Sequence, residues 1–174
     1  MNDKKRQNLG KDCAYIAVFV ALTIAAQLCL SFLPGVEVVT VLFVTFSFAF
    51  GCRRGVAAAT VFSLLRQLIF GFVPTVLVLY LIYYNLLALL FGFLGRWNKI
   101  PMKKLALLTA IASVCTVCFT LLDNIITPLW YGYSGKAFRI YFYASLSVLL
   151  PQVICTAVSV GVLFVPLVKI FQRV

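Results

Sequence analysis

Six long apolar stretches, separated by short polar breaks, leave this chain few ways to fold. A helix crossing a bilayer needs about 20 mostly apolar residues, because each residue adds about 1.5 Å and the hydrocarbon core is about 30 Å thick. The first candidate span is Cys13–Leu33, stopped by Pro34-Gly35. It is too long for a removable signal peptide and lacks a small-residue cleavage site. The second is Val36–Phe50, closed by Gly51-Cys52-Arg53-Arg54-Gly55, and the third is Val56–Phe72, closed by Pro74. Thr75–Leu94 is the fourth, followed by a basic loop from Arg96 to Lys104. Leu105–Leu129 is the fifth, with Pro128 at a frayed end, and the sixth runs from Ala144 to about Ile170, with kinks expected at Pro151 and Pro166. The expected fold is therefore all-α: a polytopic membrane protein of six transmembrane helices forming one domain over residues 1–174, with 1–12 as a short basic tail.

Composition excludes the other classes. The chain is 64% hydrophobic, against about 45–50% for an ordinary soluble domain. It is 11% charged, too little to be a water-soluble enzyme, a nucleic-acid-binding domain or a disordered chain. The net charge of +11 reads as orientation rather than nucleic-acid affinity. With six spans, twelve cations fall on one side: Lys4, Lys5, Arg6, Lys11, Arg53, Arg54, Arg96, Lys99, Lys103, Lys104, Lys169 and Arg173. Only Lys136 and Arg139 fall on the other, and Arg66 lies within a span. The positive-inside rule then puts both termini in the cytoplasm and sets the charge against anionic lipid.

Little in the sequence carries catalysis. Histidine is absent and there are four acids, Asp3, Asp12, Glu37 and Asp123. No Walker-type phosphate loop is present, and no His/Cys/carboxylate cluster has metal-ligand spacing. Cys115-x-x-Cys118 has a redox spacing but lies in an apolar helix, where small packing residues are the simpler reading. The expectation is a protein without catalytic residues, cofactor or metal.

What remains is a polar set ordered by depth. Glu37 and Thr40 begin the second span, and Arg66 and Gln67 lie roughly 16 Å into the third. Tyr80, Tyr83, Tyr84 and Asn85 lie in the outer and middle fourth span, Asp123 and Asn124 in the outer fifth, and Gln152 in the outer sixth. An intramembrane ion is paired or lines a wet cavity. Arg66 therefore either bridges Glu37 or Asp123, or lines an externally open pocket with them. Trp130, Tyr131, Tyr133, Tyr141 and Tyr143 form either an interfacial belt or, with Gly132, Ser134 and Gly135 among them, a lid formed by loop 130–143. The candidate substrate-binding residues are Glu37, Arg66, Tyr84, Asn85, Asp123, Asn124, Trp130 and Gln152. Ala17, Ala21 and Ala25 at i, i+4 and i+8 make a small-residue stripe, suited to close approach by another helix in lipid.

Leu33-Pro34-Gly35-Val36-Glu37-Val38-Val39-Thr40 is similar to a Pro-x-Val-Glu-x-Val-Thr segment, and Phe50-Gly51-Cys52-Arg53-Arg54-Gly55 to a Gly-x-Arg-x-Gly turn in which Arg54 replaces an often apolar residue. Thr127-Pro128-Leu129 and Phe164-Val165-Pro166-Leu167 add to the likeness. Through these segments, its size and the alanine stripe, the whole chain resembles the S components, the substrate-binding membrane subunits of energy-coupling factor (ECF) vitamin transporters. The resemblance implies capture of a vitamin or related small molecule from outside a prokaryotic cell membrane. It also implies delivery through a shared module of one transmembrane coupling subunit and two cytoplasmic ATPases, with Ala17, Ala21 and Ala25 packing on the coupling subunit. The ligand residues are positional expectations, because the family shares no universal set. The alternative is a membrane scaffold or accessory subunit without a ligand.

Overall fold

The structure, a computed structural model, describes residues 3–32, 38–96 and 104–173, with side chains described from Gly10 onward. It consists of six α-helices: α1 (Asp3–Leu30), α2 (Val39–Phe50), α3 (Cys52–Phe70), α4 (Pro74–Arg96), α5 (Leu105–Tyr131) and α6 (Lys136–Phe171). The helices are arranged around the shortest of them. Every side chain of α2 from Val39 to Ser47 is buried, and α2 packs against all five other helices. Its sequence, VTVLFVTFSFAF, is apolar all round rather than on one stripe, as a helix enclosed on every side requires. Of its threonines, Thr45 costs little there, since it returns its hydroxyl to the Val41 carbonyl at 2.7 Å, whereas the buried Thr40 hydroxyl has no partner. Around it α1 packs on α3, α3 on α4, α4 on α5 and α5 on α6, while the backbones of α1 and α6 stay apart among the described residues.

One pole of the bundle is sealed by rings. Phe171 at the end of α6 meets Phe19 of α1 and Phe46 and Phe50 of α2, and Phe19 stacks on Phe46 with centroids 4.0 Å apart. The cations cluster at this pole. Arg54 in the first turn of α3 is unfavourably placed against the helix dipole. It is held instead by Asp12 of α1 at 2.6 Å and by the Phe50 ring, in the single salt bridge among the described residues. At the opposite pole α6 loosens: none of its described side chains before Thr156 is buried.

The six-span expectation is refined. α1, α4, α5 and α6 are long and apolar enough to cross a membrane. α2 has 12 residues and rises about 18 Å, short of the hydrocarbon core. α3 has 19 residues but carries Arg53, Arg54 and Arg66. The outer surface carries large apolar side chains on every helix but α2, among them Val18, Leu68, Leu86, Val114 and Val158, as a membrane-embedded bundle requires.

Two connections differ from the sequence reading. The basic turn 51–55 contracts to Gly51, whose φ of 84° suits glycine and whose N–H donates to the Ser47 carbonyl at 2.8 Å. Loop 130–143 contracts to residues 132–135, and Lys136 to Tyr143 are the opening turns of α6. The stretch KAFRIYFY contains no glycine or proline to break a helix, so these residues form no loop lid.

Close helix contact explains Gly92. A Cβ there would stand 2.5 Å from the Cys52 backbone nitrogen and 2.7 Å from its Cα, so α4 touches the start of α3 backbone to backbone. Gly92→Ala is expected to destabilise the protein by about 1–3 kcal/mol through overpacking. Gly161→Ala, inside α6 with nothing within 4 Å, is expected to leave stability unchanged or raise it. Thermal unfolding of both variants in detergent checks the pair.

Candidate ligand cavity

A cavity of about 630 Å³ opens at the loose pole. Its walls come from the end of α1 (Ala26, Gln27, Leu30, Ser31), the end of α3 (Arg66, Phe70), the second turn of α4 (Tyr80), the second half of α5 (Phe119, Thr120, Asp123) and the first half of α6 (Tyr141, Ala144, Ser145, Val148, Gln152). Val38 and Val39, where α2 begins, complete it. The cavity therefore lies where α2 gives out and α6 leans away.

Arg66 sits one turn before the end of α3, nearer this pole than its sequence depth indicates. Its guanidinium carbon is 4.5 Å from the Tyr80 ring centroid and 4.8 Å from that of Phe70. Its Nε is buried and has no hydrogen-bond partner. The bridge expected to Asp123 is not made, and Glu37, the other acid considered, lies outside the described residues. A desolvated cation–π contact contributes about 2 kcal/mol. The rings hold the cation without neutralising it.

Asp123 is already satisfied. Its Oδ1 accepts from Thr127 at 2.7 Å and its Oδ2 from the Tyr141 hydroxyl at 2.5 Å, which ties α5 to α6 across the cavity wall. Thr127 and Asp123 share a face because they are four residues apart on a helix. Next to this pair, Ser145 Oγ lies 2.8 Å from both Asn124 Oδ1 and the Phe142 carbonyl, while Asn124 Nδ2 is buried without a partner. One hydroxyl proton cannot serve both acceptors. Turning the Asn124 amide lets it donate to Ser145 while Ser145 donates to Phe142, and one amide atom stays unpaired either way. Gln27 behaves similarly: Nε2 lies 3.3 Å from the Tyr80 hydroxyl and Oε1 is buried without a partner.

Of the eight residues expected from sequence, Arg66, Asp123 and Gln152 line the cavity, and Asn124 supports it from behind through Ser145. Tyr84, Asn85 and Trp130 do not line it. Tyr84 lies one turn below Tyr80 and is wholly buried among the rings of Phe43, Phe62, Tyr80 and Tyr83. Asn85, about 100° further round α4, donates to the Leu81 carbonyl at 2.7 Å and faces Thr60 of α3 at 3.3 Å. Trp130 is exposed on α5, two residues past the buried Pro128 and so on the opposite side of the helix. Ala17, Ala21 and Ala25 are exposed along α1 and take no part in internal packing.

Sequence reasoning missed Gln27, Ser31, Thr120 and Ser145, and weighed Tyr141 only for a belt or a lid. The signal was present as spacing. Thr23, Gln27 and Ser31 recur every four residues in an otherwise apolar span, and Tyr141, Ser145, Gln152, Thr156 and Ser159 follow one helical face. Compared with known protein families, curated protein sequences and solved structures, the chain matches none.

The Tyr141–Asp123 bond gives a direct test. A hydrogen bond to a charged group contributes about 1.5–3 kcal/mol. Tyr141→Phe and Asp123→Asn are each expected to lower unfolding stability, and a double-mutant cycle should return a coupling of about 1 kcal/mol or more. Additive losses would show that the hydroxyl and the carboxylate do not depend on one another.

Proposed function

We propose that the chain is the substrate-capture subunit of an ECF-type importer, taking a vitamin or related small molecule from outside the cell membrane and delivering it through a shared ATP-driven module. The observation that carries the proposal is the cavity. It is open at one pole, closed toward the cation-rich pole by the buried start of α2, and of the size that small ligands occupy, about 300–1,000 Å³. In this reading all six helices sit in the bilayer, α2 within the bundle rather than against lipid, and the cation-rich pole with both termini is cytoplasmic. The cavity then faces outward.

Delivery needs a surface for the coupling subunit, which in turn engages the two ATPases. Ala17, Ala21 and Ala25 supply it on α1, a smooth exposed face that the bundle does not use for its own packing. A scaffold without a ligand would have no use for an open cavity holding a half-buried arginine.

Ala21→Trp is expected to abolish uptake in cells while leaving solute binding by the purified protein unchanged, because Ala21 is exposed on the outer face of α1 and does not line the cavity. Transport scintillation counting and native mass spectrometry of the purified chain read the two effects separately. Normal uptake by Ala21→Trp would remove the docking assignment, and a protein that never retains a small molecule would remove the capture reading.

A further inference from the structure

The groups lining the cavity differ in what they leave unsatisfied. Arg66 is part of the lining, and its Nε, itself shielded from the open space, has no acceptor and lies beside two rings that attract a cation but accept no conventional hydrogen bond. Asp123, the other charged group in the described lining, has both oxygens engaged by hydroxyl donors. The start of α2 adds to the imbalance. Val38 and Val39 face the cavity, and no side chain caps the helix there, so its positive end meets the same space. The described lining thus holds a cation in search of an acceptor and a carboxylate with its donors in place. The remainder of the wall is apolar or neutral, with Leu30, Phe119, Ala144 and Val148 forming surfaces for a ring or short chain.

We infer that the ligand is a small organic anion: its carboxylate seats against the Arg66 guanidinium edge, and its apolar body lies between α1, α5 and α6. This assignment rests on the capture reading above and narrows it to a charge class. A planar guanidinium held by rings presents its N–H edge to a carboxylate in a fixed fork, which a lysine cannot reproduce. An unpaired charge in an apolar site is costly until a counter-charge arrives. The arginine therefore selects against cationic solutes and discriminates against neutral ones of the same shape.

The test uses the full-length chain in detergent. Thermal unfolding is followed with three probes of one shape: 2-naphthoate, 2-naphthamide and 2-naphthylmethylamine. The carboxylate is expected to raise the unfolding temperature at concentrations at least tenfold below those the amide requires, and the amine to have no effect. Arg66→Gln should erase the preference for carboxylate over amide. Arg66→Lys, which keeps the charge and guards against misfolding of the first variant, should retain part of it. Arg139→Gln, an exposed cation at the same pole, should retain all of it. Equal response to amide and carboxylate, preference for the amine, or an unchanged preference in Arg66→Gln would overturn the anion assignment and leave capture standing. Stabilisation by phosphatidylglycerol alone would overturn it in favour of a lipid headgroup. Silence toward every probe would remove capture together with it.

Discussion

The architecture depends on the enclosure of one short helix. α2 is buried on every side, so five helices must surround it, and its 12 residues cannot fill the height of the α1, α4, α5 and α6 bundle. A hydrophobic helix longer by two turns would extend the core through the bundle. Because α2 begins only at Val39, no described helix continues it through the space above. That space is bordered instead by the ends of α1 and α3, the second half of α5 and the openings of α4 and α6, whose side chains mix rings and aliphatic groups with amides, hydroxyls, a carboxylate and a guanidinium. The cavity is thus a consequence of helix length before it is a matter of side-chain chemistry.

The two poles are stabilised by different physics. Toward the cation-rich end the contacts are ring on ring and backbone on backbone, as at Phe19–Phe46 and at Gly92 against Cys52. Such packing is dense and has few alternatives. Toward the cavity the links are discrete polar bonds: Tyr141 to Asp123, Ser145 to Asn124, Gln27 to Tyr80. α6 shows the gradient along a single helix, with buried residues from Thr156 to Val168 and none described as buried before them.

Parts of this were legible residue by residue. Gly51 and Pro74 stand at the breaks they were read as marking. Depth alone drew attention to Arg66, Asp123 and Gln152. Depth without rotation misplaced Tyr84, Asn85 and Trp130, since a step of one residue turns a helical side chain by about 100°. The aromatic stretch after Pro128 was misleading because belt, lid and helix draw on the same residues, and only the absence of a breaker between Lys136 and Tyr143 separates them.

By itself the sequence determined the apolar, all-helical class, the number of helices and the segregation of charge along the chain, because these follow from transfer of apolar and charged groups along one dimension. The tertiary structure alone decided which polar groups meet. Asp123 was as good a partner for Arg66 as any on paper, yet it is held by Thr127 and Tyr141, and Arg66 is left to Phe70 and Tyr80. Pairing depends on the azimuth and separation of packed helices, and those are set by ring stacking and close backbone contacts elsewhere in the bundle, which no local pattern encodes.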